Sequence, residues 1–431
     1  MTEIVFIVEE FDKHGNIVTL ADKFYKNFPT IDYDKYFNWT KNAYYRNTGI
    51  KIKYQTYSSI ENFDPNKKYF YFIPIALWTN DFHNWFLLLD KEKQQRLANN
   101  KVDFLFAYDH EHLPNYDIGF FIKSLEWFVT MYWVNQMTDS KFYFLSASDI
   151  SSDLKNYLDN YFGGLFKFIY SPLILSSTFN SLATRESLKH TTPLNYEIVR
   201  EVSDRYLITN KIKQFLSLNR FARYHRDLLI YGLRANNLLE EGYVSRNLAA
   251  AKDFILPERY SSNYANLLRQ DMKKPLEIMN LDSNSDADGF RLSYAQFPIE
   301  FMNNSCYDIV NETGTTYEIE QSLDLIVISE KTAKSLAFGR PFIINGGPGC
   351  LSLIKKLGFE TCEWLFDESY DNFVDLVDRQ ELIIKNIMSY KSNMNTLWAK
   401  ILHHKDILDR NQTKILNFNF ENYIVRELTN E

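Results

Sequence analysis

Glycine and proline are scarce in this chain, at 14 and 11 of 431 residues. A turn-rich all-β fold needs more of both, so long, well-buried elements are expected instead. Cysteine is scarcer still. Cys306, Cys350 and Cys362 are odd in number and lack a metal-ligand spacing, which fits free thiols in a reducing compartment better than a disulfide framework. A basic excess is also missing: 48 Lys and Arg stand against 55 Asp and Glu, for a net charge of −7. Overall charge therefore gives no reason to expect a phosphate-backbone grip, although a local basic face can coexist with it. No run approaches the ~20 apolar residues of a membrane helix. The stretch from Met1 to Glu10 has acids where a signal peptide has bases. The expectation is a cytoplasmic chain without a membrane span.

What is present is a globular balance, 45% hydrophobic and 24% charged, and a length that calls for two domains with a helical tail. Aromatic residues reach 16%, with 29 Tyr and 34 Phe. An AT-rich coding sequence produces the same bias, so no stacking role follows from abundance alone.

The first half alternates apolar runs with helical spacing. Ile4–Val8, Tyr69–Ile75, Val102–Tyr108, Phe142–Leu145 and Leu165–Tyr170 read as buried parallel strands. Helices are expected over about Asp81–Leu97, Ile118–Val134 and Asp149–Tyr161, with Asp149 as N-cap. The second half repeats the pattern. Strands are expected at Gln214–Leu218, Tyr307–Val310, Leu325–Ile328 and Pro341–Ile344, and helices over Arg223–Leu239 and from Glu330. Gly346 to Gly349 marks a tight turn into another helix. The stretch from Phe373 to about His403 looks largely helical, with a polar tail beyond. Such alternation means βαβ units and parallel sheets. The fold class is α/β: two doubly wound, Rossmann-like domains facing a cleft, with ligands at the carboxyl ends of strands.

Four segments place chemistry at such ends. Asn219 and Arg220 close a strand, and Arg223, His225 and Arg226 follow at a helix start. Guanidinium groups beside a helix N-terminus suit a diphosphate; a solvated basic helix start with structural ion pairs is the alternative. Ser329 is a good N-cap, with Glu330 and Lys331 in the first turn. A lysine at the positive end of a helix needs a compensating anion, either a nucleotide phosphate or a nearby Glu or Asp. A carboxylate beside it can accept from ribose hydroxyls. Gly346 and Gly347 permit close backbone approach to a ligand, or simply make the turn; they belong to neither a Walker loop nor a dinucleotide fingerprint. Asp109, His110, Glu111 and His112 follow the strand ending at Tyr108. They offer a general base, or form a hydrated charged loop, and they lack a recognisable metal-site spacing. The acidic loop from Asp282 to Gly289 fails as a calcium loop, because either Ala287 or Ala295 falls where a required Gly or Glu should be. Asp286 and Asp288 lie in a polar run, away from the end of a buried strand. No metal is expected.

The order of these segments resembles glycosyltransferases of the GT-B type, and most closely the donor half of the α1,3-fucosyltransferase-like and related phage and viral transferases. The resemblance rests on Asn219-Arg220 with His225-Arg226, on Glu312-Thr313, on Ser329-Glu330-Lys331-Thr332, and on Gly339 to Ile343 leading to Gly346–Gly349. It covers roughly residues 211 to 380, and the first 200 residues match only as an α/β pattern. It implies an acceptor-side domain over 1–205, a nucleotide-sugar domain over 206–380 and a helical segment over 381–431 crossing back to the first. It further implies that Arg220 and Lys331 bind the donor diphosphate, with Asn219 and Arg223 alongside. Glu330 would hold the ribose, and Glu312 and Thr313 would line the pocket. Glu111, with Asp109 as competitor, would be the base of an inverting, metal-independent transfer. No tightly bound cofactor is implied; the nucleotide-sugar is a co-substrate. The acceptor is either a glycan or a hydroxymethylated base in phage or viral DNA, in the latter case in the host cytoplasm. Tyr44, Tyr45 and Arg46 are a candidate patch for the base. A non-catalytic nucleotide- or sugar-binding protein on the same fold is the alternative.

Overall fold

The structure, a computed structural model, describes residues 3–11, 17–18, 52–75, 89–108, most of 122–130, 140–146, 148–150, 152–170, 196–219, 223–246, 255–274, 276, 299–312, 325–418 and 420–429. It divides into two compact units, Met1–Ser177 with Asn419–Glu431, and Thr178–Phe418.

The first unit is built on six parallel strands: β1 (Glu3–Val8), β2 (Ile52–Thr56), β3 (Lys67–Ile75), β4 (Asp103–Tyr108), β5 (Phe142–Ser146) and β6 (Phe166–Tyr170). Their order is β2-β1-β3-β4-β5-β6. Five of the six are the apolar runs legible in the sequence. The sixth, β2, is an edge strand that alternates Lys53 and Gln55 with Tyr54, so it carries no apolar run. Aromatic rings from neighbouring strands lie face to face across the sheet. Phe6 stacks on Phe72 at 5.4 Å, Phe104 on Phe142 at 5.4 Å, and Phe144 on Phe106 and Phe168 at 5.1 and 5.2 Å. Each such ring, fully buried, contributes about 1.5–3 kcal/mol of transfer free energy. The phenylalanine bias is thus core packing in this unit.

Helix α1 (Lys91–Asn99) starts at Asp90, whose carboxylate accepts from the Lys93 amide at 2.7 Å; residues 81–88 of the expected helix lie outside the described residues. Helix α2 (Ser152–Phe162) starts later than expected. Asp149 is not its N-cap but part of a short strand, Ser148–Ile150.

The second unit has four parallel strands: β7 (Lys213–Ser217), β8 (Gly242–Val244), β9 (Ser305–Asn311) and β11 (Phe342–Asn345), in the order β8-β7-β9-β11. A separate short strand, β10 (Leu325–Val327), precedes β11. Helices α3 (Tyr196–Ile208), α4 (Tyr224–Ala235), α5 (Asn263–Met272), α6 (Ile299–Asn304), α7 (Glu330–Ala337), α8 (Cys350–Lys356), α9 (Leu376–Met388), α10 (Met394–His403) and α11 (Lys405–Leu416) complete it. Arg340, only 1% exposed, is held by Asp308 at 2.7 and 2.9 Å and by Ser305 Oγ at 2.9 Å, with the Tyr206 ring 4.7 Å away. A buried guanidinium persists only with this degree of pairing.

The residues after His403 are helical, where a polar tail was expected. They form α11 and α12 (Phe420–Thr429), whose apolar stripes bury Leu408 and Ile415, and Ile424 and Leu428. Both stripes are interrupted by polar residues, which hid them. Helix α12 belongs to the first unit, where Lys68 Nζ donates to the Leu428 carbonyl at 2.6 Å. That places a cation on the negative end of the helix. Helix α3 and the helices from 376 to 416 belong to the second unit. Among the described residues no helix is long and apolar enough to cross a membrane.

Candidate functional site

In the second unit the chain goes from β7 outward to β8, then returns to place β9 on the other side of β7. This reversal opens a crevice at the carboxyl ends of β7 and β9, the position where doubly wound sheets take ligands. What gathers there is polar and buried.

Ser217 and Asn219 lie at the end of β7, Asn311 and Glu312 at the end of β9, and Asn345 at the end of β11. Asn311 Nδ2 donates to Ser217 Oγ at 2.9 Å and Asn345 Nδ2 to Asn311 Oδ1 at 2.6 Å. From α9, Gln380 Nε2 donates to Asn345 Oδ1 at 2.5 Å and to the His225 carbonyl at 3.1 Å. His225 is fully buried, and its Nε2 lies 2.9 Å from the Glu312 carbonyl. A carbonyl can only accept, so Nε2 carries the proton. Burial, with Arg226 and Arg223 nearby, pushes the imidazole well below its usual pKa, so it is neutral near pH 7. Arg226 is also internal, donating to the carbonyls of Asn311 and Glu312 at 3.2 and 3.3 Å. These bonds tie the start of α4 to the end of β9.

Asn219, 4% exposed, is fixed by its neighbour strand. Its amide donates to Ser245 Oγ at 2.8 Å and its Nδ2 to the Ser245 carbonyl at 3.0 Å. Its Oδ1 is buried and accepts nothing among the described residues. Arg223 is the N-cap of α4 and half-buried.

Glu312 is fully buried at the start of α7. Its Oε1 accepts from the Ser329 amide at 3.0 Å and from Thr332 Oγ1 at 2.5 Å, and its Oε2 accepts from the Ser329 hydroxyl. The anion that a lysine at this helix end requires is therefore supplied from within. Ser329 is the N-cap, as expected, and Lys331 Nζ donates to its Oγ at 3.0 Å.

Gly346 packs so closely that an added Cβ would lie 3.2 Å from Glu312 Cβ and from Cys350 Sγ. Gly349 sits at φ 83°, the left-handed region that favours glycine. The start of α8 is already capped, since Asp371 Oδ2 accepts from the amides of Leu351 and Ser352 at 3.0 and 3.3 Å. Arg379 holds the Gly346 carbonyl. Gly347, Pro348 and Gly349 are half-buried.

Of the residues singled out in the sequence, the structure brings Asn219, Arg223, Glu312, Lys331, Gly346 and Gly347 to one edge of one sheet. Glu330 opens α7, where its backbone alone is described. Arg220, Thr313, Asp109, Glu111, the patch at 44–46 and the loop at 282–289 lie outside the described residues. Sequence reasoning passed over Ser217, Asn345 as a side chain, and Gln380. A polar residue closing an apolar strand was the available signal for Asn345. For Gln380 it was a polar residue in the apolar stripe of Val377, Ile383, Ile384 and Ile387. In the first unit the equivalent reversal lies between β1 and β3. There Glu9, just past β1, accepts from the Tyr71 hydroxyl and the Lys93 ammonium. No group of three or more metal-ligating side chains comes together among the described residues. A cavity of about 300 Å³ lies between α3 and α11, lined by Ser203, Asp204, Lys405 and Gln412 among others. It holds no strand end and none of the expected residues.

No family model and no curated protein matches the sequence. Among solved structures, a T4 phage BGT mutant in complex with UDP-glucose aligns over 99% of this chain and 99% of its own, at 10% identity and a TM-score of 0.35. A likeness at that score is too weak to argue from.

Proposed function

We propose that the protein is a glycosyltransferase of the GT-B type that moves a sugar from a nucleotide-activated donor to a hydroxyl acceptor. The observation that supports this most is the polar carboxyl edge at the reversal of the second sheet, which carries the unused acceptor Asn219 Oδ1 at the end of β7, with Arg223 as N-cap of α4 and a tethered Lys331 at the start of α7. In this reading Lys331, Arg220 and Arg223 hold the donor diphosphate, and Glu330 and Asn219 meet the ribose or base. Thr313, Gly346 and Gly347 line the donor pocket. Guanidinium and ammonium groups neutralise the departing diphosphate, so the transfer needs no metal. The acceptor oxygen attacks the anomeric carbon from the opposite face and the carbon–oxygen bond to the diphosphate breaks. A carboxylate, Glu111 or Asp109, takes the hydroxyl proton. The acceptor is a glycan hydroxyl or that of a hydroxymethylated DNA base.

The test is thermal stabilisation of the wild type and of Lys331→Ala by a panel of nucleoside diphosphates and their sugars. A ligand at a hundred times its Kd stabilises by about 2.7 kcal/mol. One nucleotide should raise the melting temperature of the wild type and do so far less in Lys331→Ala. If none acts at millimolar concentration, the donor site is wrong. Binding without slow hydrolysis or transfer of any donor sugar would favour a non-catalytic binding protein.

A further inference from the structure

Lysine is disfavoured in the first turn of a helix, because its charge adds to the positive end of the dipole. Its four-carbon stem ordinarily carries the ammonium out to water. Lys331 sits in that first turn and does not reach outward: it stays half-buried, and its Nζ turns back to the N-cap of its own helix, 3.0 Å from Ser329 Oγ. The same oxygen lies 3.3 Å from the Lys331 amide. A serine hydroxyl has one proton and two lone pairs. The proton goes to Glu312 Oε2, and the lone pairs face the two Lys331 nitrogens. The hydroxyl is thereby locked in one orientation, with its donor side on a buried carboxylate and its acceptor side on the ammonium. Glu312 cannot turn away, since Oε1 is held by the Ser329 amide and Thr332 Oγ1. Its backbone is fixed as well, its amide donating to the Asn345 carbonyl at 3.1 Å. The path from the sheet edge to the ammonium is therefore hydrogen-bonded at every step.

We infer that Glu312 and Ser329 are positioning residues that preset Lys331 for the donor diphosphate, so that Glu312 acts through Ser329 and not by touching the donor. The inference rests on the proposed nucleotide-sugar site and assigns the roles within it. A lysine held in place before the ligand arrives loses less rotamer freedom on binding, and that difference appears as affinity for the charged part of the ligand alone. The buried carboxylate also offsets the ammonium and the helix end together while the site is empty.

Two measurements test this, on the full chain. The first needs no nucleotide: the rate at which acetic anhydride acetylates Lys331, read by mass spectrometry against the other lysines. Lys331 should label several-fold faster in Ser329→Ala than in the wild type, and Ser329→Thr, which keeps the hydroxyl, should restore the slow rate. Equal rates in the wild type and Ser329→Ala would overturn the inference. The second is the Kd of the nucleoside diphosphate that stabilises the wild type most, with its nucleoside as control. Ser329→Ala and Glu312→Gln should weaken the diphosphate about tenfold, as loss of one charge-assisted hydrogen bond does, and leave the nucleoside unchanged. Ser329→Ala should add nothing in a Lys331→Ala background. If Lys331→Ala weakens the diphosphate and Ser329→Ala does not, the donor site stands and the positioning role falls. If no nucleotide binds the wild type, the donor reading falls, and the labelling rates still decide whether Ser329 holds the lysine.

Discussion

In the first unit, Phe6, Phe72, Phe104, Phe106, Phe142, Phe144 and Phe168 meet ring to ring across β1, β3, β4, β5 and β6. In the second, strands with the same kind of order end in Ser217, Asn311 and Asn345, joined through Gln380 to the start of α4. Both sheets are parallel, and both reverse direction after their second strand. Topology therefore offers a crevice in each, but the side chains packed along the first sheet and those at the edge of the second differ in what they demand. A wall of stacked rings tolerates any apolar group of similar volume. A wall of amides and hydroxyls requires every partner, because each one lost leaves another buried and unsatisfied. The second sheet pairs that demanding edge with a guanidinium and an ammonium, the groups a diphosphate needs, and this is why the donor site is proposed there.

The comparison breaks most visibly through the phenylalanine core. Phe144 is fully buried between Phe106 and Phe168, and Phe144→Ala should cost about 3–5 kcal/mol. Phe144→Leu should recover most of that. Hydrogen exchange read by mass spectrometry should place the loss in peptides of the first unit, with residues 211–390 unchanged.

Asn345→Leu is the counterpart in the second unit. It conserves volume but removes the partner of Asn311 Oδ1 and of Gln380 Nε2, and should cost about 2 kcal/mol. The same amide-to-leucine change would be harmless if the network were ornamental. Faster exchange at β9, β11 and α9, with the first unit protected as before, is the expected pattern.

The smallest effect is one of pH. The folded pKa of His225 lies well below the unfolded value of 6.5. The stability this burial contributes is present above pH 6.5, where both states are neutral. It is lost as pH falls below 6.5 toward the folded pKa, because the unfolded chain takes up a proton that the folded chain does not. His225→Gln, which keeps an N–H donor for the Glu312 carbonyl, should flatten the fall in denaturation midpoint between pH 6.5 and 5. An unchanged slope would mean that His225 is protonated in place.

The sequence determined, unaided, that the fold is α/β and where most strands run. A parallel strand covered on both faces must be apolar along its whole length, and Ile4–Val8 or Phe342–Ile344 shows this locally. It also marked Asn219, Lys331 and the glycine turn, because polar residues closing such strands are visible as breaks in an apolar run. It missed β2, whose place at the sheet edge leaves its polar alternation intact, and α12, whose stripe of Ile424 and Leu428 is buried only in the folded unit. Tertiary structure alone decided the strand order, and with it the reversal that assembles the site, since pairing partners are set by contacts between segments tens of residues apart. It alone brought the Glu312 carboxylate onto Ser329, the N-cap of α7, and onto Thr332. Which oxygen a buried carboxylate gives to which hydroxyl depends on where two chain segments 17 residues apart come to rest, and no local pattern in either segment records that distance.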